Sequence, residues 1–298
     1  MRDSRPSRTA LRVAIRRAAH QLLDKPLVFQ DPLALAIIGE DAASQLRNKA
    51  SAEENRFSRA LRAMMAVRSR YAEDQLATAV AGGVRQYVVL GAGLDTFAYR
   101  NPFRDQGLHV FEVDHPATQA WKRELLESAH IAIPGGLTFV PVNFEQQNLR
   151  DELHNAGFRS DEPAFLSWLG VAMYLTREAF TSTMAFVGSL PAGSGIALDY
   201  AIEPSSLGFL ERIVFEGVRR RVAAAGEPFR LFFAPQKIAA EMKRSGLSDL
   251  EDLGREAINA RYFASRADRL LVPSNLYHLF SGWVAAAGKK SSADIESF

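Results

Sequence analysis

The run Gln86-Tyr-Val-Val-Leu-Gly-Ala-Gly-Leu-Asp-Thr96 constrains the fold more than any other stretch of this chain. Gln86 to Leu90 reads as a strand with little polar alternation, the pattern of a strand covered on both faces in a parallel sheet. Gly91 and Gly93 follow, supplying backbone freedom for a sharp turn. In a dinucleotide-binding turn a third glycine lets helix and strand pack, and pyrophosphate rests on the helix amides. Here Leu94 and Asp95 come instead. An acid at that point repels a pyrophosphate and suits a ligand that carries positive charge.

Strands and helices alternate after this turn. Apolar runs at 86–90, 108–113, 137–142, 164–169 and 195–200 are separated by helical stretches near 117–129, 146–156 and 177–189. Short buried strands divided by helices predict an α/β chain of Rossmann-like type, a mostly parallel sheet with helices on both faces. A last strand pattern covers Leu276 to Ala285. Upstream, residues 1–82 read as an N-terminal helical cap region and 83–298 as the core, with a helical insertion at about 203–245. Leu11, Ile15, Ala18, Ala19 and Leu22 stand at helical spacing, so the first helix is expected to dock, with its arginines on a solvated face. Asp31-Pro32 predicts a helix start ahead of the apolar LALAII. Phe57, Leu61, Met64, Met65, Leu76 and Val80 predict one or two helices ending at Gly82-Gly83. Arg219-Arg220-Arg221 reads as a second solvated face, and the tail GKKSSADIESF as a frayed end.

Composition narrows the chemistry. There is no cysteine, which removes disulfides, thiolate nucleophiles and cysteine-ligated zinc and accords with a reducing, cytoplasmic setting. A net charge of +2 gives no global pull toward nucleic acid or a membrane surface. No uninterrupted apolar run approaches the roughly 20 residues that span a bilayer. The six histidines show no metal-like spacing, so no metal is expected. The Arg- and Ser-rich N-terminus has the composition of a transit peptide, against which stands its helical periodicity.

Ligands of an open parallel sheet bind beyond the carboxyl ends of its strands. The candidates are therefore Gly91, Ala92, Gly93 and Asp95 after the first strand, and Asp114 with His115 after the second. A carboxylate about 20 residues past the glycine turn suits the two hydroxyls of a ribose. Asn143 and Phe144 follow the third strand, Leu169, Gly170 and Tyr174 the fourth, and the fifth ends in Asp199 and Tyr200. S-adenosylmethionine, with its sulfonium and ammonium groups, is a cofactor that an acid at Asp95 would tolerate. Each position also has a plainer reading. Asp114 can cap a helix, Asn143 can be a turn residue, and Phe144 and Tyr174 can be core.

With these positions in order, the chain resembles the leucine carboxyl methyltransferase family, and most closely its bacterial natural-product O-methyltransferase branch. The likeness rests on VRSRYAEDQL (67–76), VRQYVVLGAGLDTFAYR (84–100), FEVDHPATQAWKRELL (111–126) and SWLGVAMYLTREA (167–179). The resemblance implies a seven-stranded, mostly parallel sheet, with N-terminal helices and a later insertion closing over S-adenosylmethionine. It implies that Arg68 holds the methionine carboxylate, that Gly91 approaches the methionine portion and that Asp114 takes the ribose. It places Asn143 and Phe144 near the adenine.

Two positions depart from that pattern. Asn143 replaces the usual aspartate, and Leu169 stands where many members have glutamate before Gly-x-x-x-Tyr-Leu. Asp95 is therefore expected to carry more of the cofactor's positive charge. The acceptor is expected to be a small molecule offering a carboxylate or hydroxyl, with Tyr174 and Tyr200 on its side and no catalytic residue assigned. Methylation of a protein C-terminus, a nicotinamide oxidoreductase and a non-catalytic binding protein are the rival readings. No nucleic-acid or membrane partner is expected, and a homodimer stays open.

Overall fold

The computed structural model of the protein describes residues 8–49, 55–144, 146–224 and 228–285. The polar tail from 288 onward lies outside them. Seven strands form one sheet: β1 (Gln86–Leu90), β2 (His109–Asp114), β3 (Leu137–Pro141), β4 (Ala164–Trp168), β5 (Gly195–Ala201), β6 (Leu247–Leu253) and β7 (Tyr277–Val284), in the order β3-β2-β1-β4-β5-β7-β6. β1 to β5 run parallel, while β7 is antiparallel to both β5 and β6. The chain winds outward from β1 to β3, then returns to place β4 on the other side of β1. That reversal opens a crevice between the ends of β1 and β4, where ligands bind in such sheets.

Pleating divides β1 between two cores. Val88 and Leu90 join a cluster with Phe111, Leu166, Trp168 and Ile196, covered by Phe180 and Met184 of a helix at Arg177–Gly188 (α6). Tyr87 and Val89 face the other way, among Phe165, Ala197 and Leu279. That second face is covered by Met64, Val67, Tyr71 and Leu76 of α3 (Arg56–Ala81). Side chains alternate along a strand, so a run with no polar position requires a cover on each side. Burying each of these large side chains contributes on the order of 1.5–3 kcal/mol. α3 is one continuous helix, capped by Asn55, whose side chain accepts from Ser58 N, and closed at Gly82.

Two further helices precede α3: α1 (Arg8–Leu23) and α2 (Glu40–Lys49). Between β2 and β3 runs α4 (Pro116–Ser128), and between β3 and β4 the short α5 (Leu149–Asn155). The insertion after β5 holds α7 (Phe209–Ala224) and α8 (Pro235–Arg244), joined by an extended strap at 228–234 rather than by helix. Arg220 is exposed there and, like Arg219, pairs with Glu216. A last helix, α9 (Arg255–Tyr262), links β6 to β7. Among the described residues no helix is long and apolar enough to cross a membrane.

Three expectations need correction. The segment after Asp31-Pro32 forms successive turns, not a helix. Asp31 caps only the first of them, accepting from Leu33 N at 3.2 Å, because its carboxylate is drawn inward by Arg17 and Thr96. The resemblance implies seven strands, but the residue pattern gives no place for β6. Its sequence, LSDLEDL, carries three acids and a bulge at Asp249, where φ is 45°. Only pairing with β7 makes it a strand, and charged, bulged strands are how sheet edges avoid further pairing. Finally, the arginines of α1 do not all face solvent, since Arg17 is buried.

Candidate functional site

A cavity of about 240 Å³ lies over the crevice between β1 and β4. It gathers Arg68, Gly91, Ala92, Gly93, Asp95, Asp114, His115, Asn143, Phe144, Leu169 and Tyr174. Tyr200 is not on it. Its ring is buried, and its hydroxyl donates to Asp252 Oδ2 at 2.8 Å beside the His278 ring. The strand pleat turns Tyr200 away from the cavity, so the expectation that it lines the acceptor side is corrected.

The glycine turn is shaped by its neighbours. Gly91 (φ 65°) and Gly93 (φ 50°) both occupy the left-handed region, which costs other residues roughly 1–2 kcal/mol. A side chain on Gly91 would run into Val171, and one on Gly93 would press on Ala10 Cβ at 3.2 Å. The turn is thus clasped between α1 and the segment after β4.

Asp114 ends β2 with its carboxylate at the cavity. Oδ2 accepts from Gly93 N at 2.5 Å and Oδ1 from His115 N at 2.6 Å. Each oxygen keeps a further lone pair for a ligand. Burial raises its pKa above the ordinary value, against the lowering effect of those two amides. It does not cap α4. His115 does, with Nδ1 accepting from Ala117 N at 3.3 Å. Asn143 is both turn residue and lining: its carbonyl accepts from Gln146 N and Gln147 N, while its own amide donates to Gln147 Oε1. Phe144 and Leu169 likewise pack on the two cores and face the cavity.

Arg68, buried in α3, reaches the cavity from below. Nη1 lies 3.3 Å from Asp199 Oδ2, and a side chain on Gly170 would come within 2.7 Å of that nitrogen. Asp95 is engaged differently from expectation. Its Oδ1 accepts from Phe97 N and its Oδ2 from Arg17 Nη1 at 3.2 Å. Burial alone would raise its pKa, but the charges of Arg17, Lys122 and Arg100 outweigh it and hold the carboxyl below its usual value. Its negative charge is matched within the protein.

Arg17 is the main residue that sequence reasoning missed. Ala10, Val13, Ala14 and Arg17 lie on one face of α1 and line the cavity, and Pro228 and Arg230 of the strap line it too. The signal was present: a charge set at i, i+3, i+4 and i+7 within a stripe of small apolar residues marks a buried, partnered cation.

Residues 10–188 match the leucine carboxyl methyltransferase family. The chain belongs to that family. A Bacillus subtilis (strain 168) relative named as an S-adenosyl-L-methionine-dependent methyltransferase, YktD, is 34% identical, covering 94% of this chain and 98% of its own. A Parafrankia relative with the same description of activity is 34% identical over 74% of this chain and 69% of its own. Among solved structures, a methyltransferase-described protein of Thermobifida fusca superposes with a TM-score of 0.59 at 16% identity, covering 95% of this chain and 96% of that one. A Streptomyces avermitilis protein of the family called duf574 gives 0.56 at 18% identity, over 90% and 96%. These two likenesses carry the fold, which agrees with the sheet order described above. As a member of the leucine carboxyl methyltransferase family, the protein is an S-adenosylmethionine-dependent methyltransferase.

The cavity fits that cofactor. Asp114 offers spare carboxylate lone pairs, Arg68 offers guanidinium donors, and Val142, Phe144 and Leu169 offer apolar surface. A carboxylate fork for a diol, a guanidinium for a carboxylate and an apolar slot for a purine match the parts of S-adenosylmethionine one by one.

Proposed function

We propose that the protein moves the methyl group of S-adenosylmethionine to an oxygen of a small-molecule acceptor, a carboxylate or an acidic hydroxyl. The reading is supported above all by one feature: among the described residues, no side chain lining the cavity is placed to act as a general base. His115, the one histidine among the described lining residues, has Nδ1 committed to the N-terminus of α4. Asp95 is matched by Arg17, and Asp114 sits on two backbone amides. A carboxylate acceptor is ionised at neutral pH and needs no base, whereas a neutral alcohol forgoes a gain of roughly 10²–10⁴-fold without one.

The cofactor supplies an already activated sulfonium methyl. What remains for the protein is alignment and exclusion of water. Asp114 holds the ribose hydroxyls, and Arg68 holds the methionine carboxylate. Asn143 and Phe144 border the adenine. Tyr174, braced by Phe229 at 5.3 Å between ring centres, stands with Val171 and Pro228 on the acceptor side.

The test is methyl transfer to a panel of carboxylic acids, phenols and alcohols across pH 6 to 9. A carboxylate acceptor gives a flat profile over that range. A rate that climbs with pH toward the pKa of a phenol, or transfer only to nitrogen or to a protein C-terminus, would sink the carboxylate reading.

A further inference from the structure

Asp199 is a buried acid on a strand whose other side chains belong to the core. It lies near the end of β5 and is 1% exposed. Oδ2 takes Arg68 Nη1 at 3.3 Å, and Oδ1 accepts the amide of Gly170. Gly170 in turn, at φ 72°, lies so close beneath the guanidinium that an added carbon would stand 2.7 Å from Nη1 and 2.9 Å from Nη2. The guanidinium is therefore seated on a bare backbone and gripped at one edge. Among the described residues no other side chain pairs with it.

We infer that Asp199 is a positioning residue: it fixes the Arg68 guanidinium so that its remaining donors point at the carboxylate of the bound cofactor. An unpaired arginine side chain samples many rotamers, and holding it beforehand removes that cost from binding. The same carboxylate ties the β4–α6 turn, through Gly170, to the same point. One acid thus couples the arginine to the turn that carries Leu169, Val171 and Tyr174. The inference rests on the reading that Arg68 binds the methionine carboxylate.

The test compares two ligands by calorimetry: S-adenosylhomocysteine, which carries that carboxylate, and 5′-methylthioadenosine, which lacks it. Asp199→Asn keeps size and can still accept from Gly170, but gives up the charged grip on Arg68. The expected result is a roughly 10- to 100-fold loss for S-adenosylhomocysteine, with 5′-methylthioadenosine unchanged. Gly170→Ala, which displaces the guanidinium and leaves Asp199 in place, should show the same selectivity. Equal losses for both ligands in both variants would reduce Asp199 to a structural role and overturn the inference, as would no loss for either. Arg68→Ala separates the two levels. If that variant binds both ligands normally, the assignment of Arg68 itself fails. If it alone is selective, only the role of Asp199 fails.

Discussion

Arg17 of the first helix forms an ion pair with Asp95 of the glycine turn, 3.2 Å apart, across 78 positions of sequence. Its other terminal nitrogen reaches Asp31 at 3.1 Å and the carbonyl of Leu94 at 3.0 Å. One buried fork thus joins α1, the turns after Asp31 and the glycine turn. Replacing Arg17 by Ala takes the ion-pair partner from half-buried Asp95 and leaves buried Asp31 with Arg100 as its ion-pair partner, at 3.5 Å. The expected cost is about 3–5 kcal/mol, seen as a fall in the thermal midpoint on the order of 10 °C. Lysine should restore only part of it, having no fork. The pair also contributes acid sensitivity. Because the folded pKa of Asp95 is lowered, its stabilisation is complete above the ordinary value of 3.8 and is lost as pH falls through the lower folded value. Calorimetric melts across pH 3 to 7, compared with Arg17→Ala, check both statements.

As the proposed holder of the ribose hydroxyls, Asp114 should make cofactor affinity depend on pH. Burial raises its pKa from 3.8, so its carboxylate protonates earlier on acidification than an exposed aspartate. A protonated carboxyl is the weaker acceptor for ribose hydroxyls. Affinity for S-adenosylhomocysteine should therefore decline on acidification, beginning above pH 3.8. Its contribution to folding has the other sign: a raised folded pKa favours the folded state less as pH rises through that interval. Asp114→Ala should lower affinity by about 100-fold, two charged hydrogen bonds being lost. Titration calorimetry at several pH values distinguishes these outcomes from a merely packed aspartate.

Gly91 and Val171 should behave as a coupled pair. Gly91→Ala adds a methyl group where Val171 already sits and forces a left-handed backbone on a residue with a side chain. The expected loss is about 2–5 kcal/mol, of which packing is roughly 1–3. Adding Val171→Ala relieves the packing part alone. Denaturant unfolding of the double variant should therefore show less destabilisation than the single Gly91→Ala, and strict additivity would refute the contact.

Tyr200→Phe tests whether the Tyr200 hydroxyl serves stability and not the site. The hydroxyl is tied to Asp252 and lies off the cavity. Removing it should cost about 1–2 kcal/mol of stability and alter cofactor affinity less than about twofold. A marked rise in KM for the acceptor without loss of stability would return Tyr200 to the site.

Much of this was legible in the residues themselves. β1 and its turn could be read because a strand buried on both faces has no polar alternation to obscure it. The positions after each strand then followed from the rule that ligands bind at the carboxyl ends of a parallel sheet. Arg17 and Asp199 were harder to place. Asp199 is a charge embedded in an apolar stretch and Arg17 one of several arginines along α1, and the partner of each lies on an element far away in sequence. β6 was hidden for a related reason: its acidic residues have little strand preference, and pairing with β7 alone imposes the conformation.

The sequence by itself determined the alternation of strand and helix, the Rossmann-like class and the set of strand-end residues from which the site is drawn. Those depend on local pattern, on which side chains can be buried together at a period of 2 or 3.6. Only the tertiary structure decided which charges meet. Asp95 was expected to face the cofactor's positive charge, yet docking of α1 delivers Arg17 to it. Arg68 was expected to hold the methionine carboxylate, and β5 delivers a buried partner, Asp199, to it. Ion pairing acts through space, between groups whose separation is set by the packed fold, so no spacing along the chain could have specified either pair.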